Sequence, residues 1–271
     1  MIFSCYCIIY GPIGSINKGL FILLSILFWC FYMILFIPPI RYYQWYQRVA
    51  DRRSLCQIIP TFAYVNVPNV LNVLSNIPLI FIGTFGILLL SSSKSIVRQN
   101  TFEQFTWIIF FICVTLTSIC SSYYHFRPTN RSPLWNHFPI SIGFLSLITL
   151  LIDERINPVL SRILFPFLII SNLTSCIYWY YQDDLRPHLL IQFFPMIYIP
   201  FLLLISSSVY SQTSCYVYAC FLCILAQLSE IGDKQVFRFT SKIISGHTLK
   251  HILSACSFLI ILYMLKVRVI L

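Results

Sequence analysis

Long apolar runs, each close to the thickness of a bilayer, recur along this chain with short polar connections between them. They fall at roughly 19–40, 69–91, 105–125, 138–152, 159–181, 189–207, 214–230 and 247–265. A membrane helix needs about 20 predominantly apolar residues, so the pattern predicts about eight spans. The 138–152 run is short and is expected to borrow residues from its flanks. The first run, GLFILLSILFWCFYMILFIPPI, has the character of a signal anchor. No clear cleavage site follows it, so it is read as a retained span. There is no internal repeat and no long linker. The expected fold class is an all-α, polytopic transmembrane bundle.

Composition agrees with the pattern. The chain has 271 residues, 58% of them hydrophobic and only 10% charged, with a mean hydropathy of +0.82. A soluble domain of this size has too little interior for that much apolar surface. The formal net charge of +10 would suggest nucleic acid in a soluble protein. Here the basic residues stand between apolar runs and no basic cluster is interleaved with aromatics on a soluble surface, so nucleic-acid binding is not expected. The connections at 41–68, 126–137, 182–188 and 231–246 carry more Lys and Arg than the opposite face. The positive-inside rule therefore makes theirs the cytoplasmic side. Glycan on Asn130, a sequon weakened by Pro133, would reverse that orientation. Most of the 11 cysteines lie inside apolar runs. Cys220 and Cys223 form a CxxC in mid-span, where a cysteine packs as a small hydrophobe.

All five histidines fall on that same predicted face. His125 ends one span, His137 and His188 lie in connections, and His247 and His251 open the last span. Ser121 and His125 are four apart and share a helix face, as do His247 and His251 in SGHTLKHILSA. Three imidazoles from two helix ends can supply three ligands of a tetrahedral zinc and leave the fourth position open. A single histidine at a helix end has a plainer explanation, a place among the lipid headgroups. The coincidence of the two spaced pairs is what favours a metal. Ligation at about 2.1 Å requires the ring nitrogens to converge to within about 4 Å of one another. His137 and His188 have no such spacing and stay outside the candidate set. Glu230 and Asp233, in QLSEIGDKQVF, could orient ligand histidines from behind or hold a cationic headgroup. A solvated helix end paired with Lys234 is the alternative. Asp183 and Asp184, in YYQDDLRPH, read as a capping and ion-pair cluster with Arg186.

Several segments resemble the alkaline ceramidase family, most closely its bacterial-type branch, within the seven-helix membrane hydrolases that include the adiponectin-type receptors. They are VPNVLNVLSNIPLIFIG at 67–83, SSYYHFRPTNRSPLWNHFPISIGF at 121–144, YWYYQDDLRPHLLIQFFP at 178–195, and LAQLSEIGDKQVF with SGHTLKHILSA at 225–255. They occur in family order, and the likeness spans nearly all of the chain beyond the first run. The resemblance implies a seven-helix domain at 67–271, preceded at 1–66 by an extra N-terminal span and a basic juxtamembrane segment. It implies zinc held by His125, His247 and His251, with Ser121 polarising the scissile carbonyl. The implied reaction is hydrolysis of the linear amide of ceramide or a similar N-acyl lipid. The implied partner is a membrane lipid substrate, and the implied location in a eukaryote is the endoplasmic reticulum or Golgi.

Two departures qualify the likeness. The family carries an Asp 11 residues after the first histidine, in a Trp-Asp-x-x-Pro setting, to take a proton from the zinc-bound water. Here the setting is Trp135-Asn136-His137-Phe138-Pro139. Asn accepts a hydrogen bond but is no base at neutral pH, and general-base catalysis contributes about 10²–10⁴-fold. His137 is adjacent, but the next residue on a helix points about 100° away. The second departure is Asn69, at a position where eukaryotic members carry a Glu for calcium. Their acidic Asp-Trp-Cys-Glu segment is missing too, so no calcium site is expected. Three readings follow: a zinc-dependent amide hydrolase; a catalytically weakened zinc-binding homologue acting as a lipid-binding or receptor-like protein; and a transporter or channel. The last is disfavoured because the ionisable residues gather at one edge instead of lining a path across the membrane.

Overall fold

A computed structural model of the chain describes residues 36–41, 49–59, 61, 67–92, 100–129 and 132–271, with positions 24, 28 and 32. Most of the predicted first span lies outside the described residues, as does Asn130. The labelled helices are α1 (Leu55–Ile58), α2 (Val70–Leu74), α3 (Ile77–Ser92), α4 (Thr101–Phe126), α5 (Ser132–Arg155), α6 (Pro158–Gln182), α7 (Arg186–Ile205), α8 (Ser214–Ile231), α9 (Asp233–Phe239) and α10 (Gly246–Val267). Among the described residues there are seven membrane-length apolar segments: α2 with α3 as one, then α4, α5, α6, α7, α8 and α10. The chain is an all-α, multi-pass membrane bundle.

Local sequence sets the helix starts. Asn100 caps α4 by accepting from the Glu103 amide, and Asn157 caps α6 by accepting from Val159 and Leu160, with Pro158 at the first helical position. Ser245 caps α10 by accepting from Thr248. Such caps satisfy amides that have no intrahelical partner. Gly232 separates α8 from α9.

The predicted 138–152 span does borrow from its flanks, and α5 runs from Ser132 to Arg155. Its last turn carries Asp153, Glu154 and Arg155, which ended the apolar run in the sequence. These charges stay helical because the protein satisfies them. Asp153 accepts from Asn100 and Ser161, Glu154 accepts from Ser208, and Arg155 donates to the Ser206 carbonyl and to Thr213. Beside them Glu103 pairs with Arg268 and accepts from the Tyr210 hydroxyl at 2.7 Å. This buried polar cluster closes the end of the bundle opposite the histidines.

Packing centres on α4, which lies against α2, α3 and α5, and on α10, which lies against α8 and α3. Phe110, Phe111, Ile148, Leu151, Leu202 and Leu265 are fully enclosed. Outward positions such as Phe81, Phe85 and Leu88 on α3 are exposed apolar residues, the surface a lipid solvent calls for. Gly83 and Gly86 allow α3 to sit close on α4. A Cβ at Gly83 would lie 2.7 Å from the Thr115 nitrogen and 2.8 Å from the Phe111 carbonyl oxygen. Close approach at small residues is how membrane helices gain packing contact.

At the histidine end, Asp184 and Arg186 form the ion pair that the sequence suggested, at 2.7 Å. Asp184 also accepts from the Ile40 amide, and Arg186 donates to the Ile37 carbonyl at 2.5 Å. Burial pushes the Asp184 carboxyl up, but hydrogen bonds from Arg186 outweigh it and hold the group below the usual carboxylate range.

Candidate metal centre

His125 stands in the last turn of α4, and His247 and His251 stand in the first two turns of α10. Antiparallel packing brings these ends together. The ring centroids are 4.9 Å apart for His125 and His247, 5.3 Å for His125 and His251, and 4.8 Å for His247 and His251. One nitrogen from each ring lies within 4.8 Å of the others, and His125 and His251 are buried. The Nε2 atoms of His125 and His247 are 3.1 Å apart. Two ligands of a tetrahedral ion bonded at about 2.1 Å lie about 3.4 Å apart, so this pair has the right separation. The widest separation exceeds both that edge and the 4 Å expected from the sequence, and His251 must close in for all three to ligate.

The partners behind the rings fix which nitrogen faces the centre. His247 Nδ1 lies 3.1 Å from Glu230 Oε1, which also accepts from Lys250 Nζ at 2.7 Å. The carboxylate therefore holds the proton on Nδ1 and leaves the Nε2 lone pair inward. His251 Nδ1 lies 2.8 Å from Ser75 Oγ, whose own hydrogen points to the Asn72 carbonyl at 3.3 Å. The Asn76 side-chain amide also lies 3.3 Å from Nδ1, and its Oδ1 is otherwise without a partner among the described residues; turned over, that oxygen joins Ser75 Oγ in accepting from Nδ1–H, and Nε2 is again the inward atom. Both tautomers are assigned from these partners. Ligand histidines are commonly oriented through their second nitrogen in this way. Three neutral imidazoles with one open side suit zinc and also copper, iron or nickel. The donor set fits a transition-metal ion without choosing among them.

Asp233 contributes through the backbone. Its Oδ1 accepts from the His247 amide at 2.7 Å and its Oδ2 from the Ala50 amide at 2.5 Å. Pairing with Lys234 is not its role. Ser121 is buried one turn before His125 on α4. The Asn136 Oδ1 atom, near the start of α5, is buried and has no hydrogen-bond partner among the described residues. His137 and His188 form a separate cluster with Trp179 and do not join the three histidines.

Several supporting residues are not among the sequence candidates. Asn69, in a left-handed conformation at φ 48°, donates to the His125 carbonyl at 2.9 Å. Asn72 accepts from Thr248 at 2.7 Å, and Ser118 donates to the Asn76 carbonyl at 2.6 Å. The signal was present in NVLNVLSNIP, where Asn72, Ser75 and Asn76 share one helix face within an apolar run. Polar residues inside a span face the bundle interior.

Gly246 sets how closely α10 begins against α8 and α9. A Cβ there would collide with the Ser229 carbonyl oxygen and come within 2.7 Å of the Asp233 Cα. Gly246→Ala is expected to destabilise the bundle by about 1–3 kcal/mol through overpacking and to weaken metal binding with it. Thermal unfolding with and without added metal checks this. Wild-type values in both would show that the contact relaxes without displacing His247.

No family model, no curated protein and no solved structure matches this chain.

Proposed function

We propose that this chain is a zinc-dependent intramembrane hydrolase that cleaves the amide of ceramide or a similar N-acyl lipid. The observation that carries the proposal is the three-histidine set at one end of a lipid-facing bundle. Zinc, when bound there, would polarise the amide carbonyl and acidify a water. Among the chain's own residues, His125, His247 and His251 are the ligands. Glu230 and Ser75 keep two of those rings turned inward, and Ser121 would donate to the carbonyl. The likeness to the alkaline ceramidases supports the substrate class, and the seven-helix domain at 67–271 is the unit that would carry it.

An apolar pocket adds support. It is lined by Phe144, Leu147, Met196, Ile199, Phe258 and Ile261, among others, with about 450 Å³ of empty space counting its mouth. Phe258 and Ile261 follow His251 by two to three turns along α10. An acyl chain in the pocket would lie among apolar side chains two to three turns along the ligand helix.

Asn136 motivates a second reading, a zinc-binding relative with weakened chemistry that binds lipid more than it turns it over. Purified wild type and Asn136→Asp, each loaded with zinc, should be assayed on a ceramide panel, with His251→Ala as the blank. The Asp variant is expected to hydrolyse ceramide about 100-fold faster than wild type or more, the scale of a restored general base. Turnover in the Asp variant alone favours the second reading. No amide cleavage by either zinc-loaded protein defeats the hydrolase proposal.

A further inference from the structure

The two histidines outside the metal set lie in a second buried polar cluster, between α5, α6 and α7. His137, Trp179 and His188 form a triangle, with ring centroids 5.7, 5.8 and 5.4 Å apart. His137 Nδ1 lies 2.8 Å from Gln192 Oε1. His188 and Asn172 are each 0% exposed. Ser141 Oγ lies 2.8 Å from Asn172 Oδ1, and Ser175 Oγ donates to the Asn172 carbonyl at 2.7 Å. The side chains in this cluster carry no fixed charge. His137 stands on α5, which packs against α4, the helix that carries His125, so the two clusters lie on neighbouring helices.

Two atoms in this cluster meet no partner in good hydrogen-bond geometry among the described residues: His188 Nε2, although Gln192 interacts with that ring, and Asn172 Nδ2. Their roles can be assigned. The Ser175 hydrogen is committed to the Asn172 carbonyl, so Ser175 Oγ can only accept from His188 Nδ1, 3.3 Å away. Cys176 Sγ lies 3.4 Å from the same nitrogen but is only a weak donor, so the oxygen partner decides: Nδ1 carries the proton and Nε2 presents a lone pair. Asn172 Oδ1 faces Ser141, so its NH₂ group has hydrogens to give. An unfilled acceptor and an unfilled donor are thus buried in one cluster inside a membrane bundle. Leaving such groups empty costs free energy, and a hydroxyl satisfies both kinds because it donates and accepts.

We infer that His188 and Asn172 form a subsite for a hydroxyl group of an uncharged lipid, set beside the candidate metal centre. The inference rests on the proposed function for its choice of lipid: the hydroxyls of the sphingoid part of an N-acyl sphingoid amide. Ser141, Ser175 and Gln192 are positioning residues that hold the two rings and the amide in register. Charged headgroups are excluded because no opposite charge waits for them in this cluster. The subsite selects lipids bearing a free hydroxyl, through the loss suffered when a buried polar group is left unpaired.

The test is equilibrium binding of the full-length, zinc-loaded protein in nanodiscs of neutral phospholipid. The probes are a short-chain ceramide and the same amide lacking the first hydroxyl. Wild type should hold the hydroxylated lipid about tenfold more tightly, the scale of one buried hydrogen bond. His188→Phe and Asn172→Leu remove the unfilled polar atoms while keeping bulk, and Ser141 and Ser175 keep their backbone acceptors, so both should fold. Each should bring the preference to within about twofold of unity with zinc content unchanged, the scale expected once the pairing is gone. His251→Ala should lose zinc yet keep the preference. Equal binding of the two probes by wild type, or an undiminished preference in both variants, overturns the subsite. A preference that depends on His188 and Asn172, with no cleavage by wild type or Asn136→Asp, leaves the subsite standing and removes the hydrolase reading alone.

Discussion

Alanine in place of His251 is expected to lower metal affinity by at least about 100-fold and to abolish the stabilisation that metal confers. The lower bound comes from residues behind metal ligands, whose loss alone costs about 10–100-fold. Removing a ligand takes away the bond itself. Ser75→Ala is the graded companion. It leaves His251 in place but removes the acceptor at Nδ1, so its loss should fall within that range of about 10–100-fold. The stability readout follows from linkage: metal at 100 times its dissociation constant stabilises the folded state by about 2.7 kcal/mol. Thermal unfolding of wild type should therefore rise on adding zinc, that of Ser75→Ala should rise less, and that of His251→Ala should not respond. Equal metal content in wild type and His251→Ala, measured on purified protein, would remove the metal centre altogether.

The second large effect belongs to the opposite end of the bundle. Glu103 and Arg268 are both about 3% exposed, and their side chains form an ion pair. The Arg268 guanidinium lies 4.0 Å from the centre of the Tyr210 ring and 5.6 Å from that of Trp107. Glu103→Ala removes the carboxylate that this buried guanidinium pairs with, which should cost up to about 3–5 kcal/mol. It also removes the carboxylate to which the Tyr210 hydroxyl donates. Glu103→Leu combined with Arg268→Met should recover most of the loss, because replacing both charges with packed apolar groups is often neutral. Denaturation in detergent, compared across wild type, single and double variants, decides the matter. A single variant as stable as wild type would mean that solvent reaches the pair.

These two sites differ in how far the sequence exposes them. The metal candidates are legible because a helix puts residues four apart on one face. Two such pairs at span ends on one side of a membrane need only antiparallel packing to meet. The partners Ser75 and Asn69 are not legible that way, since nothing local says which helix α2 and α3 will face. The Glu103–Arg268 pair is harder still, because its members lie 165 positions apart and each reads alone as a charge at a span end. The spans themselves follow from apolar run length. The exception is α5, where Asp153 and Glu154 end the apolar run but not the helix, their charges being satisfied by Asn100, Ser161 and Ser208. His137 and His188 have no helical spacing to join them. Their meeting depends on how α5 and α7 are rotated against α6, which packing decides.

Asp233 has one carboxylate and two clients. One oxygen holds the amide of His247, and the other holds the amide of Ala50, 183 positions earlier in the chain. The segment ahead of the first described span and the start of the ligand helix are therefore fastened to the same pin. A displacement of residues 49–53 reaches the His247 backbone directly through this side chain, and a parallel path runs from the Asp51 carbonyl through Asn72 to Thr248. Any ion held by the three histidines is thereby mechanically coupled to the docking of residues 49–53, and Asp233 and Asn72 share the stiffness of that coupling.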